Sequence, residues 1–187
     1  MGIECLNNRI GIRGCDAPTS PASAEGVTPF VEALPILVVN DLLGISLQNL
    51  NAIVEDEDET FLVMWNKVVL RTMKKFEVLV KAKLNECYKL TDKTVVACLI
   101  CENAELFDVA LWYLHGTELM IERTSTDTLS RYTTIDLDKA EELKAYFYGE
   151  FQACLNDAVQ GMNIADSDCI TDVVESNETV RWVMQVP

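Results

Sequence analysis

Apolar residues recur every three or four positions between residues 57 and 88, which is the spacing of one face of an α-helix. This face consists of Leu62, Trp65, Val69, Met73, Phe76, Val80, Leu84 and Cys87. A run of five acids, Glu55 to Glu59, lies at the start of the pattern, where the helix dipole favours negative charge. The pattern therefore predicts a long amphipathic helix of about 30 residues, or ~45 Å.

Two further stretches have helical spacing. The first covers residues 105 to about 129, with Ala110, Tyr113, Leu114 and Met120 facing inward. In the second, Asp138 and Glu141 form a capping-box arrangement that predicts a helix start, and Gly161 is suited to end the helix. Its core face consists of Leu143, Phe147, Phe151, Cys154, Leu155 and Ala158. The chain is therefore expected to contain about three helices.

Two other segments favour β-structure. The apolar run "TVVACLIC" predicts a buried strand near residues 95 to 101, although periodicity alone leaves a short helix open. Near the C-terminus, Val180, Trp182, Met184 and Val186 alternate with the residues between them, which predicts a β-hairpin over about residues 168 to 187. The expected fold class is α+β, mainly α, with a small sheet packed against the helices.

The N-terminal segment reads differently from the rest. Four of the five prolines lie between Pro18 and Pro35, where helix is disfavoured because proline lacks an amide donor. Residues 1 to 45 are therefore interpreted as an extended arm, and residues 46 to 187 as one helical domain. The expected arm anchors are Phe30, Leu37, Val39 and Leu42. They would pack on the chain's own core or on a neighbouring subunit, and an ordinary N-terminal loop is the alternative.

Charge is distributed unevenly along this acidic chain, whose net charge is −15. Residues 60 to 93 contain eight bases and three acids, whereas residues 102 to 187 contain seventeen acids and five bases. On the first helix the bases form a stripe opposite the apolar face, made of Lys67, Arg71, Lys74 and Lys81 with Lys75 at its edge. A solvated helix face, an acidic partner and nucleic acid are the three interpretations of this stripe.

The remaining chemistry of the sequence is sparse. The only histidine is His115 on an apolar helix, and no known catalytic or nucleotide-binding motif occurs, so no catalysis and no cofactor are expected. The seven cysteines are expected to be reduced. Cys98 and Cys101 lack the second pair that a zinc site needs, and a strand would direct them to opposite faces. The apolar runs are too short to cross a membrane, and nothing directs the chain out of the cytoplasm.

The arrangement of these elements resembles a known class of protein. The segments "LPILVVNDLLGISLQNLNAIV" and "CENAELFDVALWYLHGTELMIERTSTDTLSRYTTIDLDKAEELKAYFYGEFQACLNDAV" are similar to small virion proteins of tailed phages, in particular the crAss-like group. The resemblance covers residues 9 to 160. It implies a head–tail connector that forms a ring, with twelve copies as on a portal. The ring would contact the portal and other neck or tail proteins, surround the DNA channel, and assemble in the host cytoplasm before joining the virion.

Two hypotheses connect this resemblance with the charge pattern. The basic stripe of one copy would contact the acidic 102 to 187 region of the next copy and fix the register of the ring. The surplus acid would repel phosphate and let DNA pass without specific binding. The alternative function is a cytoplasmic adaptor or regulator whose basic helix binds an acidic protein or nucleic acid. The sequence does not decide the number of copies or the neighbouring proteins.

Overall fold

The computed structural model describes Leu6 and residues 59 to 170. Four α-helices account for most of this part: α1 (Glu59–Tyr88), α2 (Lys93–Glu102), α3 (Ala104–Ser125) and α4 (Leu137–Gly161). A short 3-10 turn, Leu129–Arg131, lies between α3 and α4. Early residues of α3 lie beside late residues of α4, since the Leu106 side chain is next to Gly161. The two helices therefore form an antiparallel hairpin, and α1 packs across it.

The prediction of a long first helix is confirmed. Six residues of the predicted face are buried, as the spacing requires: Trp65, Val69, Met73, Phe76, Val80 and Leu84. Phe61, Met64 and Val68, which the prediction leaves out, are buried as well. Phe76 is central because its ring lies 6.0 Å from that of Phe107 on α3 and 6.3 Å from that of Phe151 on α4. One aromatic side chain of α1 thus contacts both helices of the hairpin. Cys87 differs from the prediction and is exposed in the last turn.

The end of α1 has a local cause. Lys89, the first residue after the helix, has a φ of 59°, a left-handed conformation that only glycine adopts at little cost. Its amide still donates to the Asn85 carbonyl at 3.0 Å, which closes the last turn.

The predicted strand near residues 95 to 101 is wrong, because this run is the helix α2. Asp92 caps the helix: its carboxylate accepts from the amides of Thr94 at 2.8 Å and Val95 at 3.0 Å. The buried residues Val95, Val96, Leu99 and Ile100 have helical spacing. The part of the chain that the structure describes contains no strand, so the α+β class with a small sheet is corrected to an all-α arrangement there. Residues 168 to 170 begin a helical turn, and the remaining hairpin residues, including Trp182 and Met184, lie outside the described residues.

The N-terminal segment is described only at Leu6, which lies in a helical turn and is fully buried in the core. At this residue the segment packs on the chain's own core, one of the two targets considered above. The expected anchors Phe30, Leu37, Val39 and Leu42 lie outside the described residues. The interpretation of residues 1 to 45 as an extended arm stays a prediction.

The expectation of reduced cysteines is wrong for part of the chain. Cys98 of α2 and Cys169 form a disulfide with a Cα–Cα distance of 5.7 Å, and Cys101 is disulfide-bonded as well. Because α2 is a helix, Cys98 and Cys101 lie one turn apart on one side rather than on opposite faces of a strand. The Cys98–Cys169 bond ties the segment after α4 to α2. Of the other described cysteines, Cys87 and Cys154 are free.

The second and third predicted helices are confirmed with small corrections. Helix α3 ends at Ser125, four residues before the predicted end. Helix α4 ends at Gly161 as predicted, but its N-cap is Asp136 rather than Asp138. The Asp136 carboxylate accepts from the Lys139 amide at 2.7 Å, and Asp138 lies within the first turn.

The cap assignment can be tested by comparing two aspartates. We expect Asp136→Ala to lower the free energy of unfolding by about 1 kcal/mol because an amide of the first turn loses its acceptor. Asp138→Ala is the matched control and should cost less, since it removes only a favourable charge near the helix dipole. Chemical denaturation followed by circular dichroism measures both. An equal or larger loss for Asp138→Ala would contradict the assignment.

Candidate functional site

The most elaborate polar cluster among the described residues lies where α1 crosses α3. Arg71 of α1 donates from Nε to Glu118 Oε2 at 2.5 Å and from Nη1 to Glu122 Oε2 at 3.1 Å. Its Nη2 donates to the Glu118 carbonyl at 2.9 Å. The carboxylate side chains of Glu118 and Glu122 are only 3% and 4% exposed. One guanidinium thus connects two buried carboxylates and a backbone carbonyl on the facing helix.

Two lysines complete the cluster. Lys75 donates to the other oxygen of Glu118 at 2.8 Å, and Lys67 lies 3.6 Å from Oε1 of Glu122. Lys75 also lies 5.6 Å from the centre of the Tyr148 ring on α4, within the range of a cation–π contact. Three positive charges therefore face two negative ones. We call Lys67, Arg71, Lys75, Glu118 and Glu122 the α1–α3 clamp.

Helix geometry explains why these residues meet. Positions 67, 71 and 75 are four residues apart on α1, and positions 118 and 122 are four residues apart on α3. Residues at this spacing lie on one side of a helix, one turn above another. The two series face each other in antiparallel order, with Lys67 beside Glu122 and Lys75 beside Glu118, so each carboxylate is flanked by cations.

The clamp holds Glu122 ionised despite its burial. Burial raises the pKa of the Glu122 carboxyl, but the hydrogen bond from Arg71, the charge of Lys67 and a hydrogen bond from Thr126 together lower that pKa below its usual value. The Thr126 hydroxyl donates to Glu122 Oε1 at 3.1 Å. Paired carboxylates of this kind are suited to joining helices, because a buried charge needs a fixed partner.

His115 lies one turn before Glu118 and is buried in the same interface. Its Nδ1 is 3.1 Å from the Thr72 hydroxyl, which itself donates to the Val68 carbonyl at 2.9 Å. The histidine must then donate through Nδ1, so the neutral ring leaves Nε2 as an acceptor with no hydrogen-bond partner among the described residues. Burial, with a smaller effect from Arg71, lowers the pKa of His115 to about 3. The imidazole is therefore neutral at physiological pH and packs edge-on against the Trp65 ring at 5.0 Å.

The basic stripe predicted from the sequence is divided between two roles. Lys67, Arg71 and Lys75 contact the clamp carboxylates of the same chain. Lys81 pairs with Glu77 of its own helix, while Lys74 is exposed and forms no ion pair within the described part of the chain. The role of these five bases at a subunit interface stays a prediction.

The acceptors of the clamp, Glu118 and Glu122, are not among the residues predicted from the sequence. Glu118 and Glu122 lie in an otherwise apolar helix, "LWYLHGTELMIERT", and their four-residue spacing is the signal that could have identified them. Two acids on the inner side of a buried helix require cations on the facing element. Lys67, Arg71 and Lys75 have the matching spacing on α1.

A second surface lies on the outer side of α1. Val63, Leu70 and Val78 are 63%, 57% and 67% exposed, and they alternate along the helix with Lys67 and Lys74. Spacings of seven and eight residues keep the three apolar side chains within one sector of the helix. We call these five residues the outer α1 face.

The described part of the structure contains neither a metal-binding group of side chains nor a membrane-spanning helix. Within residues 59 to 170, no three histidine, cysteine or acidic side chains are grouped to hold a metal ion. No helix described here has the length and apolar character needed to span a membrane. Comparison with known proteins finds no matching protein family, no similar curated protein and no similar solved structure. The resemblance to phage connectors therefore stays a prediction.

The clamp leads to a prediction about stability. Arg71→Ala removes the cation shared by two buried carboxylates, and we expect the free energy of unfolding to fall by about 3 kcal/mol. Lys74→Ala, three residues away on the exposed side, is the control and should change it by less than about 0.5 kcal/mol. Urea denaturation of both variants measures the difference. Similar small losses for both variants would show that Arg71 does not hold the two helices together.

The buried histidine predicts a pH dependence of stability. Between pH 6.5 and about 3 the unfolded chain binds a proton at His115 that the folded chain does not, so the free energy of unfolding falls as the pH decreases. The loss attributable to His115 is at most about 1.4 kcal/mol per pH unit. We expect His115→Gln to flatten the profile between pH 7 and 5, above the range in which Glu122 titrates. Parallel profiles for both proteins would refute the assignment of a neutral His115.

Proposed function

We propose that this protein is a structural subunit of a ring at the neck or tail of a tailed phage, where it joins the portal to the tail around the DNA channel. The observation that carries the proposal is the outer α1 face, on which exposed apolar side chains alternate with the bases Lys67 and Lys74 on a strongly acidic chain. Exposed apolar residues grouped on one side of a helix are typical of a contact surface. A ring requires such a surface and a different, complementary one on the next copy.

The clamp supports a structural role for the helices. It occupies Arg71 and Lys75 and leaves Lys74 directed away from the core, so α1 is held firmly while its outer side stays available. A subunit of this kind works by presenting a rigid surface rather than by chemistry. Catalysis is therefore not part of the proposal, and neither is a cofactor.

The phage setting rests on the resemblance of residues 9 to 160 to connector proteins. It supplies the twelvefold ring, the portal and tail partners, and assembly in the host cytoplasm before incorporation into the virion. The Cys98–Cys169 disulfide is compatible with this order of events, because disulfides persist on virions but are rare in a reducing cytoplasm. On this proposal the bond forms after assembly.

The charge of the chain supports passage of DNA rather than binding. With thirty acids and fifteen bases, most of the surface repels phosphate, and several bases are already paired with carboxylates. DNA would move through the channel without specific contacts.

The second candidate is a cytoplasmic adaptor or regulator. The exposed Lys67 and Lys74 beside Val63, Leu70 and Val78 also suit an acidic, amphipathic segment of another protein. In that case the chain would be a monomer or dimer outside the particle.

Electron cryomicroscopy of purified virions, or of the full chain coexpressed with the portal, separates the two candidates. We expect a closed ring of this chain on the portal axis, from which copy number and symmetry can be counted. Expression without the portal is the control for assembly that depends on it. Absence of the chain from the particle, together with a free monomer or dimer, would contradict the ring and favour the adaptor.

A further inference from the structure

The α3–α4 hairpin has a second exposed apolar surface, on the side that faces away from α1. Leu106, Val109 and Tyr146 are 43%, 44% and 54% exposed. Phe107 of α3 and Phe151 of α4 are the side chains that contact Phe76 of α1. Val109 is two residues from Phe107 and points about 200° around α3 from it. Tyr146 is five residues from Phe151 and points about 140° around α4 from it. Val109 and Tyr146 therefore lie on the opposite side of the hairpin from α1. Leu106, one residue from Phe107, lies about 100° around α3 from that contact, beside Gly161 of α4.

This surface is acidic where the outer α1 face is basic. Glu150 and Asp157 come four and eleven residues after Tyr146 on α4, spacings that place them on the same side of the helix as Tyr146. Both carboxylates act on Cys154: burial raises the pKa of the Cys154 thiol, and the charges of Glu150 and Asp157 raise it further. We call Leu106, Val109, Tyr146, Glu150 and Asp157 the far hairpin face.

The far hairpin face is also open to close approach. Gly149 and Ala153, both exposed, lie between Tyr146 and Asp157 on α4. A side chain added at Gly149 would meet nothing within 4 Å. A helix can thus pack near the α4 backbone without displacing a large side chain.

The two faces have the properties of a heterologous pair. They lie on opposite sides of one helical unit, both expose apolar side chains, and they differ in the sign of their charge. Such surfaces favour the addition of a second copy in the same orientation. Two outer α1 faces, or two far hairpin faces, would repel each other, whereas an outer α1 face and a far hairpin face attract. An isologous dimer would instead bring Lys67 and Lys74 against the same residues of its partner.

We propose that the outer α1 face of one copy docks on the far hairpin face of the next copy of this chain. The inference rests on the proposed function and names the two surfaces that would close the ring. Lys74 would pair with Glu150 or Asp157 across the contact, while Leu70 and Val78 would pack on Val109 and Tyr146. Arg71 and Lys75 take no part, because the clamp already uses them. Lys67 belongs to both sets, since its side chain is 62% exposed while its Nζ lies 3.6 Å from Glu122 Oε1.

A charge exchange tests this docking. The first variant, Lys74→Glu with Val78→Glu, makes the outer α1 face acidic. The second, Glu150→Lys with Asp157→Lys, makes the far hairpin face basic. Sedimentation velocity of the full chain measures association of each variant, and circular dichroism verifies the helices. We expect each variant alone to associate at least ~10-fold more weakly than the unmodified chain.

Mixing the two variants should restore association, because each unlike pair of faces is then again complementary in charge. The control is Lys93→Glu with Thr94→Glu at the exposed start of α2, which changes the net charge by the same amount as the first variant. This control should associate as the unmodified chain does. It separates a local contact from a general effect of charge.

The outcomes distinguish the docking from the proposed function. If association survives both variants, or if the α2 control weakens it equally, the two faces are not the contact between copies. The proposed ring would then have to form through other surfaces. An unmodified chain that stays monomeric up to millimolar concentration, alone and with the portal, overturns the self-association itself. Rescue by mixing supports both.

Discussion

The contact between Arg71 and the two buried carboxylates, Glu118 and Glu122, determines how the helices of this protein are arranged. Neither carboxylate could remain buried and charged without a cation, and the guanidinium meets both at once. The contact fixes the rotation of α1 about its own axis as well as its position on α3. Phe76 is then directed between α3 and α4, and Val63, Leu70 and Val78 are directed outward. The buried core and the exposed surface follow from the same rotation.

Much of this arrangement could be predicted from the sequence, because long helices repeat their apolar spacing many times. Helices α1, α3 and α4 are predicted within a few residues of their observed bounds, and the predicted face contains six of the nine buried apolar side chains described on α1. The short run at α2 has the composition of a strand but forms a helix. Ten residues give too few repeats to distinguish the helical period of 3.6 residues from the strand period of 2. The β-branched residues Val95 and Val96 favour a strand. The decisive feature was Asp92, whose capping role depends on local geometry.

The basic stripe shows where sequence reasoning about a site ends. Helical spacing identifies residues that share a side, but it cannot say what another element places opposite them. Here α3 brings Glu118 and Glu122 against Lys67, Arg71 and Lys75, so part of the stripe is neutralised within the chain. The proposed contact between copies depends instead on Lys74 and its apolar neighbours. On this proposal, the ion-pair cluster and the docking surface lie side by side on one helix, each with a different acidic partner.

The central claim, that Lys74 of one copy meets the acidic side of α4 on the next, can be measured on the unmodified protein. Chains grown in ¹⁴N and ¹⁵N media are mixed, treated with a carbodiimide that joins amines to adjacent carboxylates, and analysed by mass spectrometry. The account predicts links between Lys74 and Glu150 or Asp157 that combine the two isotopes. Mixed-isotope links found only between other residues, or links confined to single chains, would contradict it.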